Sequence, residues 1–233
     1  MKFGDWISRG NIVRYNLVAD SPHSNAFYMD DGDSGDTVMG NVVWSVSYGV
    51  FIGGGHDNLA TGSLLIDCIK AGLHLDDRGT TRGYNSDDPK LMGILEKMNH
   101  TAPPWSEKYP EMVDLLDFHP DYPTGNELTG NVLINSGVHL SGETEHLQYS
   151  TIKDNPTKSR KDAGLPEEGN PIPALKQKIV INFPDVPGFE PIPIAEIGLY
   201  LDEFRQSLPQ IGANDGSGKD PAFDSMTDVE HTH

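Results

Sequence analysis

Four stretches of this chain are versions of one another: "NIVRYNLVAD" from Asn11, "TVMGNVVWSV" from Thr37, "NLATGSLLID" from Asn58 and "NELTGNVLIN" from Asn126. Their starts lie 26, 21 and 68 residues apart, the last spacing enlarged by an insertion. Each carries a polar residue, a small or tyrosine corner, an Asn or Ser, and a short apolar strand. The Asn/Ser positions align as Asn16, Asn41, Ser63 and Asn131. A second strand comes after each at a similar offset: "AFYMDDG" from Ala26, "GVFIGGG" from Gly49, "GLHLDDR" from Gly72 and "GVHLSGE" from Gly137. A unit of this length, with two or three short strands and small-residue corners, cannot bury its apolar side alone and must stack on its neighbours. The expected fold is all-β, a parallel β-solenoid whose corner asparagines form a hydrogen-bonded ladder. A leucine-rich repeat would need a regular leucine frame and a helix in each unit, and neither is present.

Alternation along the second strand sorts its residues by face. Phe27 and Met29, Val50 and Ile52, Leu73 and Leu75, Val138 and Leu140 are expected inside. Tyr28, Phe51, His74 and His139 form one outward column, and Asp30, Gly53, Asp76 and Ser141 the next. With strands about 4.8 Å apart, Asp30 and Asp76 stand two coils apart across a notch opened by Gly53.

The remaining segments read differently. "DPKLMGILEKMN" puts Leu91, Ile94, Leu95 and Met98 on one face of a helix, and "PPWSEKYPEMVDLLDF" contains a second, short one starting near Pro110. A helical insertion is therefore expected over about 87–118, beside the Asp30 and Asp76 face. Residues 141–177 read as an irregular excursion, "KIVINF" as one more strand, and 178–208 as a closing segment that seals the core. Residues 1–211 would form one domain, with 212–233 an acidic, disordered tail. The chain enters its first repeat almost at once, so further N-terminal coils or another chain are expected to cover that end.

Seventeen Lys and Arg against 35 Asp and Glu give a formal charge of -18. Nucleic acid and anionic membrane are excluded as partners, because both require a basic footprint. The single Cys68 allows no intrachain disulfide and leaves the compartment open; secretion or a periplasmic location is expected only if the full-length protein carries a signal peptide. "DDGDSGD" looks like an EF-hand loop, but Gly35 stands at a ligand position, Asp36 at the glycine position, and no Glu closes the loop. No metal site is assigned, although calcium binding of another kind stays open. Two carboxylates across a notch suit sugar cleavage, where one protonates the leaving oxygen and the other acts as nucleophile or base. Asp30 and Asp76 are the catalytic candidates. Asp31, Asp77, His74 and His56 are supports or alternatives, and Tyr28, Arg78 and Trp105 are candidates for holding the sugar.

The stretches "FYMDDGDSGDTVMGNVVW", "GVFIGGGHDN", "AGLHLDDRG", "PPWSEKYPEMVDLL", "GNVLINS" and "GFEPIPIAEIGLYLDEFR" together resemble the C-terminal part of right-handed parallel β-helix, pectin-lyase-like, carbohydrate-active enzymes. The resemblance implies a right-handed parallel β-helix with a short helical insertion. It implies a glycoside hydrolase that uses outward aspartates on a plant or algal poly- or oligosaccharide. The alternatives are a polysaccharide lyase acting on uronates and a non-catalytic glycan-binding β-helix.

Overall fold

The computed structural model describes residues 2–3, 6–82 and 84–198. The tail expected over 212–233, and the closing segment beyond residue 198, lie outside them. Among the described residues, fifteen short strands build three all-parallel sheets. Sheet A holds β1 (Lys2–Phe3), β4 (Phe27–Met29), β7 (Tyr48–Gly53), β10 (Ala71–Asp76) and β13 (Val138–Ser141). Sheet B holds β2 (Ile12–Arg14), β5 (Thr37–Met39), β8 (Leu59–Thr61), β11 (Glu127–Thr129) and β14 (Thr151–Lys153). Sheet C holds β3 (Leu17–Ser21), β6 (Val42–Val46), β9 (Leu64–Ile66), β12 (Val132–Ile134) and β15 (Thr157–Lys158). The chain visits A, B and C in strict rotation, so each strand pairs with its counterpart one repeat away. That stacking of parallel strands is compatible with the solenoid the repeats lead one to expect.

The register obeys the apolar alternation. Phe27 pairs with Val50, Val50 with Leu73 and Leu73 with Val138, while Met29, Ile52, Leu75 and Leu140 form the adjacent column. Inner residues of all three sheets meet in one cluster that includes Met29, Val38, Val43, Ile52, Ala60, Leu65, Leu75, Leu128 and Leu133. The last members depart from expectation: Val138 and Leu140 are 39% and 46% exposed, where Ile52 and Leu75 are fully buried. An inward side chain is covered only when a further strand stacks beyond it. Among the described residues no strand stacks beyond β13 in sheet A.

The corner ladder exists. Asn41 Oδ1 accepts from the Asn16 amide at 2.9 Å, and Asn131 Oδ1 accepts from the Ser63 amide at 3.0 Å. A second ladder, not anticipated, joins Asn11, Asp36, Asn58 and Asn126 at the corner before sheet B. Buried amide groups of the corners must find partners, and these side chains supply them at about 1 kcal/mol per bond.

Two segments differ from the sequence reading. Residues 151–158, expected to be irregular, supply β14 and β15 of the fifth coil. "KIVINF" joins none of the three sheets; Ile181 makes only an isolated antiparallel bridge to Ile192. Leu165, Ile172, Leu175, Ile181, Phe189 and Ile194 instead pack with Leu64, Ile66, Val132 and Ile134 of sheet C. The closing segment thus lies against sheet C, whose strands are apolar on both faces and need cover on both.

The insertion is helical. Helix α1 (Pro89–Met98) starts at Asp88, whose side chain accepts from the Lys90 amide, and ends on a left-handed Asn99. Helix α2 (Trp105–Lys108) and a 3-10 turn at Pro110–Met112 come next. Leu91, Leu95, Met112 and Leu115 bury their side chains with Trp6, which anchors the insertion to the N-terminal segment.

Candidate functional site

β4, β7 and β10 each turn the face opposite their core residues outward along sheet A. This alternation carries Tyr28, Phe51 and His74 into one row and delivers Asp30 and Asp76 just past it. The rings pack in sequence: Tyr28 and Phe51 edge to face at 4.7 Å, Phe51 and His74 at 4.0 Å, His74 and His139 stacked at 4.9 Å.

The notch at Gly53 is not open. The guanidinium of Arg78 lies there, and a Cβ on Gly53 would come 2.7 Å from its central carbon. Arg78 Nη1 donates to Asp30 Oδ1 at 2.6 Å and to the Tyr28 hydroxyl at 3.2 Å. Its Nε and Nη2 donate to Asp76 at 2.9 Å and 2.7 Å. The same guanidinium sits over the Phe51 ring at 4.9 Å. Any side chain at residue 53 would have to displace this fork, which occupies the space of a side chain. Asp30 and Asp76 are both buried. Hydrogen bonds to one planar fork hold the two carboxyl groups on either side of the same guanidinium.

Electrostatics follow from this packing. Burial pushes the Asp76 carboxyl upward, but hydrogen bonds from His74 and Arg78 and the guanidinium charge outweigh it and hold Asp76 below its ordinary value. For Tyr28, burial and its bond to Asp30 raise the phenol against the opposing effect of Arg78. Burial alone would lower Arg78; its bonds to Asp76 and Tyr28 dominate and raise it.

His74 Nε2 lies 3.2 Å from Asp76 Oδ2. An ionised carboxylate offers only acceptors, so this nitrogen carries the proton. His74 Nδ1 faces His139 Nδ1 at 2.9 Å, and the Tyr48 hydroxyl is 3.3 Å from that same His139 nitrogen. Tyr48 and His139 were not among the expected site residues. The alternation that turned His74 outward places His139 beside it, whereas Tyr48 starts its strand and reaches over by ring size.

The other candidates go to different places. Asp31 Oδ1 is 3.7 Å from Arg78 Nη1, at the rim of the same cluster. Asp77 faces away into the fifth coil, accepting from the Glu143 amide and pairing with His146 Nδ1 at 2.6 Å. His56 is buried edge-on against Trp6, with Nδ1 3.0 Å from the Thr124 hydroxyl. Burial, reinforced by the charge of Arg9, pushes His56 down to about 3, so it is neutral at physiological pH. Trp105 stacks with Tyr109 in a separate hollow of about 400 Å³ that includes Ser8, Arg9 and Asn11 and none of the Arg78 cluster. Among the described residues, no three His, Cys, Asp or Glu side chains converge to hold a metal ion, and no helix is long and apolar enough to cross a membrane.

A second arginine-bridged pair lies at the corner between sheets A and B. Arg9 Nη1 donates to Asp57 Oδ2 at 2.8 Å and to Glu111 Oε1 at 3.0 Å. Both acids line a cavity of about 520 Å³ with Phe118 and Tyr149. Sequence alternation could not reveal this pair, because one member is a corner residue and the other belongs to the insertion. No protein-family model, curated protein or solved structure matches this chain.

Proposed function

We propose that this chain is a glycoside hydrolase on a right-handed parallel β-helix of the pectin-lyase-like kind, acting on a plant or algal poly- or oligosaccharide. The observation that carries the reading is the pairing of Asp30 and Asp76 around one guanidinium on an outward, ring-lined face. Each is bonded to the same guanidinium, which keeps them close enough for the carboxylate spacings of glycosidases, about 5–9.5 Å. Asp76 is held ionised and is assigned the nucleophile or base role, with Asp30 as proton donor. Arg78 sets their spacing, and Tyr28 supplies a ring and a hydroxyl at the edge of the site. A lyase needs a base that gives up its proton near neutral pH. Arg78, shifted upward, does not suit that role.

The filled notch favours one second reading, a glycan-binding β-helix in which Arg78 is a structural clamp. Turnover of a panel of neutral and uronate-bearing oligosaccharides separates the two. Hydrolysis yields new reducing ends without unsaturated products, and Asp30→Asn or Asp76→Asn lowers it by at least a thousandfold while the fold persists. Glycan binding with no product from the parent protein would leave only the clamp.

A further inference from the structure

The pair at the corner between sheets A and B differs from the one on sheet A in what lies in front of it. Asp57 has a left-handed backbone with φ of 60°, a conformation that Asp tolerates better than most residues. Its amide donates to the Thr124 carbonyl at 3.0 Å. Glu111 sits in the Pro110–Met112 turn, anchored by the fully buried Met112. Arg9 forms the back of the pair: its side chain is fully buried and its Nε donates to the Trp6 carbonyl at 3.0 Å. Because both acceptor oxygens sit on the same nitrogen, at 2.8 Å and 3.0 Å, they lie within about 6 Å of each other.

In front of the acids is open volume. The cavity of about 520 Å³ is of the size that takes a small ligand, and Phe118 and Tyr149 line it. These rings meet edge to face at 5.3 Å, with Phe118 about half exposed and able to take the C–H face of a sugar.

We propose that this cavity is a second glycan-cleaving centre, in which Asp57 is the proton donor and Glu111 the nucleophile of a retaining hydrolysis. The proposal rests on the reading of the chain as glycan-active and concerns a place that reading leaves unused. Asp57 passes its proton to the glycosidic oxygen as the bond from that oxygen to the anomeric carbon breaks, with the electron pair leaving on oxygen. A Glu111 carboxylate oxygen bonds to the anomeric carbon and forms a glycosyl ester. Water then attacks that carbon, Asp57 takes the proton from the water, and the ester bond breaks to regenerate Glu111. The overall reaction consumes one water and yields two sugars. A spacing under that limit admits the one retaining enzymes use, about 5–5.5 Å. Burial raises the Asp57 carboxyl against the lowering influence of Arg9, which suits a group that must carry a proton.

The test is covalent trapping with deactivated fluoroglycosides of several common sugars and subsequent peptide mapping, alongside turnover by variants of both pairs. The expected adduct is on Glu111, and the turnover that remains in Asp30→Asn or Asp76→Asn should fall at least a further hundredfold when Glu111→Gln or Asp57→Asn is added. Azide should restore turnover to Glu111→Ala, which loss of a structural ion pair would not permit. An adduct on Asp76, with Asp30→Asn and Asp76→Asn inactive and the other pair unaffected, overturns this inference and leaves the hydrolase reading standing. An adduct on Glu111 with Asp30→Asn and Asp76→Asn active upholds it and moves catalysis off sheet A. A parent that forms no adduct and cleaves no glycan overturns both. If Glu111→Gln fails to fold, Phe118→Ala with Tyr149→Ala gives the same decision through a rise in KM at the cavity.

Discussion

Two arginines in this molecule each hold a pair of carboxylates, and they do so from opposite sides. Arg78 lies between Asp30 and Asp76, filling the space above Gly53 and covered by Tyr28 and Phe51. Arg9 lies behind Asp57 and Glu111, leaving both acids on the wall of a cavity. The same ion-pair chemistry therefore closes one site and supports an open one. What distinguishes a plug from a back wall is the element that carries the arginine. Arg78 comes directly after β10 and folds back over its own sheet, whereas Arg9 is threaded beneath the insertion at the corner between β1 and β2.

Removing each arginine should produce the largest difference between the regions. Arg78→Met leaves two buried carboxylates without their shared cation, and breaking a buried pair of this kind costs about 3–5 kcal/mol. Arg9→Met leaves Asp57 and Glu111 able to take water through the cavity, so about 1–3 kcal/mol is expected, the cost of unmade hydrogen bonds. Urea midpoints of the two variants measure this. Equal losses would show that the Asp57–Glu111 pair is no more hydrated than the other.

Glycine substitutions probe the space itself. Gly53→Ala brings a methyl into the guanidinium, the mobile end of a side chain, so Arg78 should be displaced at a cost of about 1–2 kcal/mol, in the range of modest overpacking. Its reactivity toward an arginine-specific dicarbonyl reagent should rise. Gly125→Ala meets Asp57 instead and also forces a side chain onto a left-handed backbone with φ of 70°, a strain of about 1–2 kcal/mol. Arg9 reactivity should stay unchanged there, because the carboxylate moves and the arginine remains buried. A rise at Arg9 would mean that the back wall is as loosely held as the plug.

The parallel stacking of strands was legible because a repeating chain writes its periodicity into every unit. The columns through Met29 and Phe27, and the ladder through Asn41, come from alternation and corner chemistry alone. The ladder through Asn58 has the same kind of spacing and is equally readable in principle, but its second position is Asp36, which interrupts the run of asparagines. Val138 and Leu140 point inward as alternation requires, yet their exposure depends on whether another strand stacks beyond them, which no local pattern encodes. The candidate site divides in the same way. Asp30 and Asp76 came from alternation; the placement of Arg78 between them depends on the path of a long side chain after its strand has ended. Glu111 meets Asp57 only because the insertion packs on Trp6, a tertiary contact made far from that corner in sequence.

The smallest expected effect is also the one whose sign separates the pairs most cleanly. Asp76 is held below its ordinary value, so its ionised form favours the folded state. That stability is present above an unfolded value of about 4 and is lost as pH falls through the folded value. Asp57 is raised by burial, so its protonated form favours the folded state. Its contribution is present below about 4 and fades as pH rises through the folded value. Asp76→Asn should therefore be less stable than the parent near neutrality, with the gap narrowing in acid. Asp57→Asn should do the reverse, gaining on the parent as pH rises, since Asn also tolerates the left-handed backbone at this position. Thermal midpoints of the three proteins across the acid range give the comparison directly. A constant offset for Asp57→Asn would mean that its carboxyl does not change its proton affinity on folding, and would remove the electrostatic support for Asp57 as a proton donor.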